Sequence, residues 1–246
     1  MSIPRFYCLD FSEACLSEEE SHHAHTVLRL KEGDQISLFD GKGAEAKAQI
    51  LQTDKCSLRY KIITQNRSFL RNFQLTLGQA IPKGKSMDFI VQKSTELGVA
   101  VIAPILSDRS VVQLEGEKIE SKQQKWSQTA LEACKQCGQN YLPTVSPAVK
   151  LGDFLENYRK SSALKLIASL QSDAKPLRAT LTEARENGMK LSEVIYLIGP
   201  EGDFTPSEIG QARSAGYLPV SLGPNILRTE TATLFLTSAL LYELQS

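Results

Sequence analysis

A chain of 246 residues with 41% apolar and 23% charged side chains has the composition of an ordinary globular protein, long enough for one large domain or two modest ones. Its 28 basic and 28 acidic residues cancel, so bulk charge carries no nucleic-acid signal, and no apolar run approaches the roughly 18 residues of a membrane span. Five cysteines argue against a disulfide framework, and the opening MSIPRFYCLDF lacks a signal-peptide pattern; together these point to a cytoplasmic protein.

Residues 1–63 read as a small, mostly β unit. Ser17-Glu18-Glu19-Glu20 has the form of a capping box and opens a short helix running towards Arg29. All three histidines (His22, His23, His25) fall on it, at spacings that do not present three ligands to one metal; a polar helix face explains them better. Gln35–Phe39 alternates, Asp40-Gly41 is a hairpin signal, and Ala44–Leu51 returns. Cys56, Leu58, Tyr60 and Ile62 alternate again, so several short strands with tight turns predict a small barrel. Between Lys55 and Arg71 five basic residues stand with no acidic one, which is either a solvated strand face and linker or a phosphate-contacting edge. The polar, unpatterned Thr64–Asn72 marks a boundary, giving domains at 1–71 and 72–246.

Beyond it strands and helices alternate. Phe73–Gly78 is a strand, Ser86–Leu97 a helix stopped by Gly98, and Val99–Ile105 a buried strand. A long helix spans about Ile119 to Cys137 and closes at Gly138. A helix at Leu151–Arg159 precedes the strand Ala163–Leu170, and another precedes Gly188. Such alternation implies a mostly parallel sheet covered on both faces. Two further strands, Val194–Ile198 and Leu218–Leu222, each break at a Gly-Pro and continue into a helix, leaving backbone groups free where open α/β sheets bind ligands. Thr205-Pro206-Ser207-Glu208 is a complete helix start, so Gly199–Phe204 is a taut loop, and Gly216 ends that helix. The last helix, about Glu230 to Leu244, is apolar over much of its circumference and must be buried in the fold or against another subunit; a dimer interface is favoured.

Neither Gly-Pro loop matches a phosphate-binding pattern, proline removes amides that a pyrophosphate needs, and Glu201 repels one. A neutral or positively charged ligand suits these loops better. Cys134-Lys135-Gln136-Cys137 spells C-x-x-C, but at the end of a helix, away from the dipole that activates such thiols, and no second pair completes a zinc site. Arg228-Thr229-Glu230-Thr231 converges on the pocket; spacing alone fits equally well a plain helix start, with Thr229 as cap, Glu230 favouring the dipole and Arg228 exposed.

IGPEGDFTPSEI followed by LGPNILRTETA resembles the C-terminal signature of the bacterial RsmE family, methyltransferases of the SPOUT, trefoil-knot class that modify N3 of a uridine in 16S ribosomal RNA. HTVLRLKEGDQISLFDGKG resembles the family's PUA-like N-terminal barrel. LGQAIPKGKSMDFIVQKSTELGV, SDRSVV and EACKQCG extend the match to nearly the whole chain. The resemblance implies an α/β fold: a SPOUT trefoil-knot domain behind a small PUA-like β-barrel that binds RNA. It implies S-adenosylmethionine as cofactor, no metal, a homodimer, and 16S rRNA in the small ribosomal subunit as partner. The cofactor residues it implies lie in three loops: Leu170; Ile198, Gly199, Pro200, Glu201 and Gly202; and Leu222, Gly223, Ile226, Leu227, Thr231 and Ala232. N3 of uracil is a protonated imide that must be unpaired before a pocket reaches it. Arg228 is the candidate for stabilising the charge left by proton loss, worth roughly 3–4 kcal/mol by analogy with oxyanion-hole donors, with Glu230 or a water taking the proton. Arg29, Lys83 and Arg109 are the candidate RNA contacts. One departure is Gln139, where the family often has arginine. Competing readings are a knotted methyltransferase acting on a ribose 2′-hydroxyl or another base, and a non-catalytic RNA-binding assembly factor.

Overall fold

A computed structural model describes residues 3–110 and 114–245; Val111 and Val112 of the Ser107–Val112 segment lie outside the described residues. The chain divides into two compact units, residues 1–70 with 131–142, and residues 71–130 with 143–246.

In the first unit, strands β1 (Arg5–Tyr7), β2 (Gln35–Phe39), β3 (Ala44–Thr53) and β4 (Leu58–Arg67) form a sheet in that order. β1 pairs parallel to β2, and the rest are antiparallel. Alternation decides the packing: Ala46, Ala48 and Ile50 of β3 and Leu58 and Tyr60 of β4 turn inward onto Phe6, Ile36 and Leu38, while Lys47, Gln49, Arg59 and Lys61 turn outward. At the hairpin the Asp40 carboxylate accepts from Lys42 N (2.7 Å) and Ala44 N (2.9 Å), and Gly41 takes φ +72°. Helix α1 (Glu18–His22) is shorter than the sequence suggests: it passes into a π turn at His23–Val27, and Arg29 at φ +54° lies past its end. Ser17 caps it by accepting from Glu20 N, but the Glu20 carboxylate is drawn to Lys135 at 2.5 Å, so only half of the expected capping box forms.

Among the described residues the second unit is built on an eight-stranded sheet whose pairings are all parallel. In chain order its elements are β5 (Gln74–Ala80), α2 (Ser86–Glu96), β6 (Val101–Leu106), α3 (Glu117–Cys137, which from Leu131 on belongs to the first unit), β7 (Thr144–Val145), β8 (Val149–Lys150), α4 (Leu151–Asn157) and β9 (Leu164–Ala168). β10 (Lys175–Pro176), α5 (Leu177–Glu186), β11 (Glu193–Ile198), α6 (Pro206–Ser214), β12 (Leu218–Ser221) and α7 (Thr229–Leu244) follow. Two-residue strands such as β7 and β10 carry no periodicity, which is why sequence reasoning passes over them. Helices end where expected, with Gly98, Gly138, Gly188 and Gly216 all in the left-handed region. In space the strands run β10-β12-β9-β11-β5-β6-β7, with β8 also on β6. β11 is thereby inserted between β9 and β5, and β12, β9 and β11 stand side by side, so the three loops leaving their carboxyl ends are neighbours.

Period-2 alternation along β11 divides its neighbours. Ile195 and Leu197 join the cluster formed with Phe154 of α4 and Ile209 and Ala212 of α6. Tyr196 points the other way, to α7, where its hydroxyl lies 2.7 Å from Thr237 Oγ1. Thr237 donates to the Thr233 carbonyl (2.7 Å), so the tyrosine hydroxyl is the donor between them. One turn earlier, buried Thr233 Oγ1 lies 2.6 Å from Gln79 Oε1 and 2.9 Å from the Thr229 carbonyl. Thr229, Thr233 and Thr237, four residues apart, thus form a polar seam inside an otherwise apolar helix–sheet interface. Gly78 of β5 permits close packing, since a Cβ there would stand 2.6 Å from Leu197 Cδ2.

Thr233→Val keeps the shape but removes the donor to Gln79 Oε1. It is expected to lower stability by about 1–3 kcal/mol, because a buried acceptor loses its partner, whereas Thr233→Ser should recover most of the loss. Thermal unfolding of both variants checks this; a loss below about 0.5 kcal/mol, within the range of ordinary surface changes, would mean that the seam is not holding α7.

Candidate active site

Three loops enclose a cavity of about 280 Å³: residues 168–171 after β9, 198–203 after β11, and 221–227 after β12, closed by Thr229 and Ala232 of α7. This is close to the small end of ligand pockets, about 300–1,000 Å³. Each loop exists because its strand is interrupted. Pro200 halts β11, and the Asp203 amide donates back to the Pro200 carbonyl (2.9 Å), making a tight turn that the Thr205–Glu208 capping box anchors. In that box Glu208 N donates to Thr205 Oγ1 (3.2 Å) and Thr205 N to Glu208 Oε2 (2.8 Å). The other oxygen of buried Glu208 accepts from Asp108 N (2.9 Å), so the same carboxylate also holds the loop after β6. Gly223, at φ +117°, turns the third loop, with its N–H 3.3 Å from Ser221 Oγ. The second and third loops are joined by Thr229, whose hydroxyl donates to the Gly199 carbonyl at 3.2 Å. Thr229 therefore does not cap α7: Arg228 occupies the cap position, without a side-chain bond to the helix.

Among the cavity residues none is basic and two, Glu201 and Asp203, are acidic. Glu201 is exposed and accepts from Lys83 N (2.9 Å). Asp203 is half-buried and stands at φ +58°, with Oδ1 accepting from Phe204 N (2.8 Å). Burial pushes its carboxyl above the usual carboxylate range, opposed by the amides of Phe204 and Leu170 and by the Arg109 charge. Leu170 and Ile226, 59% and 81% exposed, leave apolar surface on the cavity wall.

Of the residues expected to hold a cofactor, Leu170, Ile198, Gly199, Pro200, Glu201, Leu222, Gly223, Ile226, Leu227 and Ala232 line this cavity together. Gly202 does not; its carbonyl accepts from Arg109 Nη1 (2.6 Å). Thr231 does not either: with Glu230 it lines a separate shallow hollow shared by Ser86, Phe89, Leu234, Phe235 and Ser238. A helical register places residues 230 and 231 on a different side from 229 and 232, which the sequence run alone obscured. Arg228 is exposed and, among the described residues, has no hydrogen-bond or ion-pair partner. Lys83 and Arg109 are exposed in the second unit and Arg29 is exposed in the first. Thr229 of the Arg228–Thr231 run does line the cavity, as do Asp203, Ser169 and Gln171, which the sequence did not mark. Asp203 stood in plain view beside Gly202, but its role needs a backbone conformation that only coordinates reveal. The Cys134 thiol is buried and pushed up to about 12, the reverse of what a redox pair requires.

Comparison with known proteins bears on this geometry. The RNA methyltransferase domain family matches residues 70–241, and the RNA methyltransferase PUA domain family matches residues 16–63. Ribosomal RNA small subunit methyltransferase E of Bacillus subtilis (strain 168) is 31% identical over 232 residues, covering 93% of this chain and 89% of that protein. This chain belongs to the ribosomal RNA small subunit methyltransferase E family. The family member from Neisseria gonorrhoeae, solved bound to S-adenosyl methionine, is 32% identical with a TM-score of 0.86, covering 98% of both chains. A methyltransferase from Legionella pneumophila, solved in complex with the same cofactor, is 33% identical with a TM-score of 0.88, covering 99% of this chain and 98% of that one. Both unit types follow from the family: a small PUA-like N-terminal domain and a mixed α/β unit built on a parallel sheet.

The loop geometry makes a test of its own. A Cβ on Gly199 would lie 3.0 Å from Asp203 Oδ1 and 3.2 Å from Phe204 N, and Gly223 holds a conformation that side-chain-bearing residues avoid. Gly199→Ala and Gly223→Ala are each expected to lower stability by about 1–3 kcal/mol, measured by thermal unfolding; an unchanged melting temperature would show that the loops yield freely.

Proposed function

We propose that this protein transfers the methyl group of S-adenosylmethionine to N3 of a specific uridine in 16S ribosomal RNA of the small subunit. The observation that carries the reading is a cavity built from three loops at strand ends, acidic and without a basic residue among those described, with exposed Arg228 between its lining residues Leu227 and Thr229. The donor set fits the cofactor: backbone groups freed at the strand ends suit the adenine edge, Leu170, Ile226 and Leu227 offer apolar cover for its faces, and Asp203 tolerates a cation. A pyrophosphate ligand would find no counter-charge there. When bound, S-adenosylmethionine supplies an electrophilic methyl group on a sulfonium.

The protein's own residues then have to deliver the base and manage its proton. Arg228 is free to meet incoming RNA, and its guanidinium stabilises the negative charge that builds on the uracil carbonyls as the imide loses its proton. Glu230 lines the neighbouring hollow rather than the cavity, which favours water as the proton acceptor. Arg29, Lys83 and Arg109, with the exposed Arg59 and Lys61 of β4, are the groups placed to contact phosphates, the PUA-like unit serving as the RNA-docking domain. Arg109 also braces the cofactor loop through the Gly202 carbonyl. Among the described residues no helix is long and apolar enough to cross a membrane; a ribosomal substrate supports a cytoplasmic location.

We also infer a homodimer through α2 and α7. Phe89 and Phe235 are 42% and 49% exposed on one hollow with Leu234, an apolar surface that a second copy would cover. Phe235→Asp is expected to give a monomer in sedimentation velocity, while a dimer retained by this variant would place the interface elsewhere.

Arg228→Ala is expected to lower methyl transfer by about 10²–10³-fold while S-adenosylmethionine affinity, read by calorimetry, stays within roughly a factor of three, under 1 kcal/mol. Equal loss of both would make Arg228 a binding residue only. Nucleoside mass spectrometry of the methylated subunit identifies the acceptor: 3-methyluridine supports the reading, and a ribose 2′-O-methyl or another methylated base overturns it.

A further inference from the structure

We infer that Asp203 sets the charge preference of the cavity, holding the positively charged methyl donor more tightly than the neutral thioether that remains after transfer. This rests on the cofactor reading above and assigns one side chain a specificity role within it.

Among the described residues only Ala14, Arg29 and Asp203 have positive φ without being glycine, and Asp203 alone of these lies on the cavity. The left-handed region disfavours residues with a Cβ, although aspartate and asparagine tolerate it better than most. The turn itself is closed by backbone, Asp203 N to the Pro200 carbonyl, so the side chain is not needed to form it. The carboxylate is instead held on the cavity wall, accepting from Phe204 N (2.8 Å), with the Leu170 backbone of the loop after β9 acting on it electrostatically. Gly199 makes the room: a Cβ there would stand 3.0 Å from Asp203 Oδ1. The other acidic residue of the cavity, Glu201, is exposed and engaged by Lys83 N. Among the described residues no basic side chain lines the wall to neutralise Asp203, and the guanidinium that acts on it electrostatically, Arg109, spends a donor on the Gly202 carbonyl.

A half-buried carboxylate without an ion-pair partner among the described residues is held at a desolvation cost, in keeping with its raised carboxyl pKa. A cation entering the cavity offsets that cost; a neutral ligand does not. Methyl transfer changes the ligand in this respect. The deprotonated N3 of the uracil bonds to the methyl carbon as the S–CH3 bond breaks, that bond's electron pair stays on sulfur, and the sulfonium becomes a thioether with no charge. The same side chain that favours entry of the donor therefore ceases to hold the product, which promotes exchange between turnovers.

Calorimetry on the full chain with S-adenosylmethionine, S-adenosylhomocysteine and an analogue carrying an ammonium in place of the sulfonium tests this. Asp203→Asn keeps size, hydrogen-bond acceptor and tolerance of positive φ while removing the charge. It is expected to weaken the two cationic ligands by about tenfold, the scale of one opposite charge within about 4–6 Å, and to leave the thioether within roughly twofold. Asp203→Gly, which takes the backbone conformation without strain, should show the same selective loss, with melting curves confirming that both variants fold. Equal weakening of all three ligands, or no weakening of any, overturns the inference while leaving the cofactor reading intact. Absence of binding heat from all three with the unaltered protein overturns the cofactor reading and this inference with it.

Discussion

The Thr229 hydroxyl, donating to the Gly199 carbonyl, ties the start of the last helix to the interrupted end of β11. Everything that lines the cavity depends on α7 being seated at that height, because the third loop is the chain leading into it. Thr233 against Gln79 and Thr237 against Tyr196 continue the same seam. Apolar contacts alone would let a helix as uniformly hydrophobic as Thr229–Leu244 slide or rotate, since burial is non-directional. Hydrogen bonds buried in an apolar interface are directional and costly to leave unmade, so they choose one register.

Register then decides function. With Thr229 and Ala232 directed at the cavity, Glu230 and Thr231 are carried to the hollow on α2, and Arg228 is left at the rim as an exposed cap residue. Four consecutive polar residues thus receive different surroundings. The two proline-interrupted loops supply backbone groups and little bulk, and the cavity's charge comes from acids alone. That combination is inhospitable to phosphates and hospitable to a sulfonium, and it accords with relatives that were solved with S-adenosyl methionine bound.

Loops that bind a cofactor must also be held open without it. Here they are braced from outside the cavity: Glu208 spans Asp108 N and Thr205 N, Glu201 takes Lys83 N, and Arg109 takes the Gly202 carbonyl. Two of the residues proposed to face RNA, Lys83 and Arg109, therefore sit on the same bracing network as the residues proposed to hold the methyl donor. Preorganisation of this kind reduces the ordering cost of ligand binding.

The amino-acid sequence by itself determined the strand–helix alternation, the helix stops at Gly98, Gly138, Gly188 and Gly216, the capping box at Thr205, and the pairing of two Gly-Pro loops that proved to share one cavity. These are local signals: backbone conformation and period-2 or period-3.6 burial are imposed by a few adjacent residues. The motif pair also carried the family. Only the tertiary structure decided that β11 stands between β9 and β5, that Glu20 leaves its capping box for Lys135, and that Thr229 bonds a distant carbonyl instead of capping its helix. Each of those outcomes is a competition between a local partner and one far along the chain, and the winner is set by which groups packing brings within hydrogen-bonding distance.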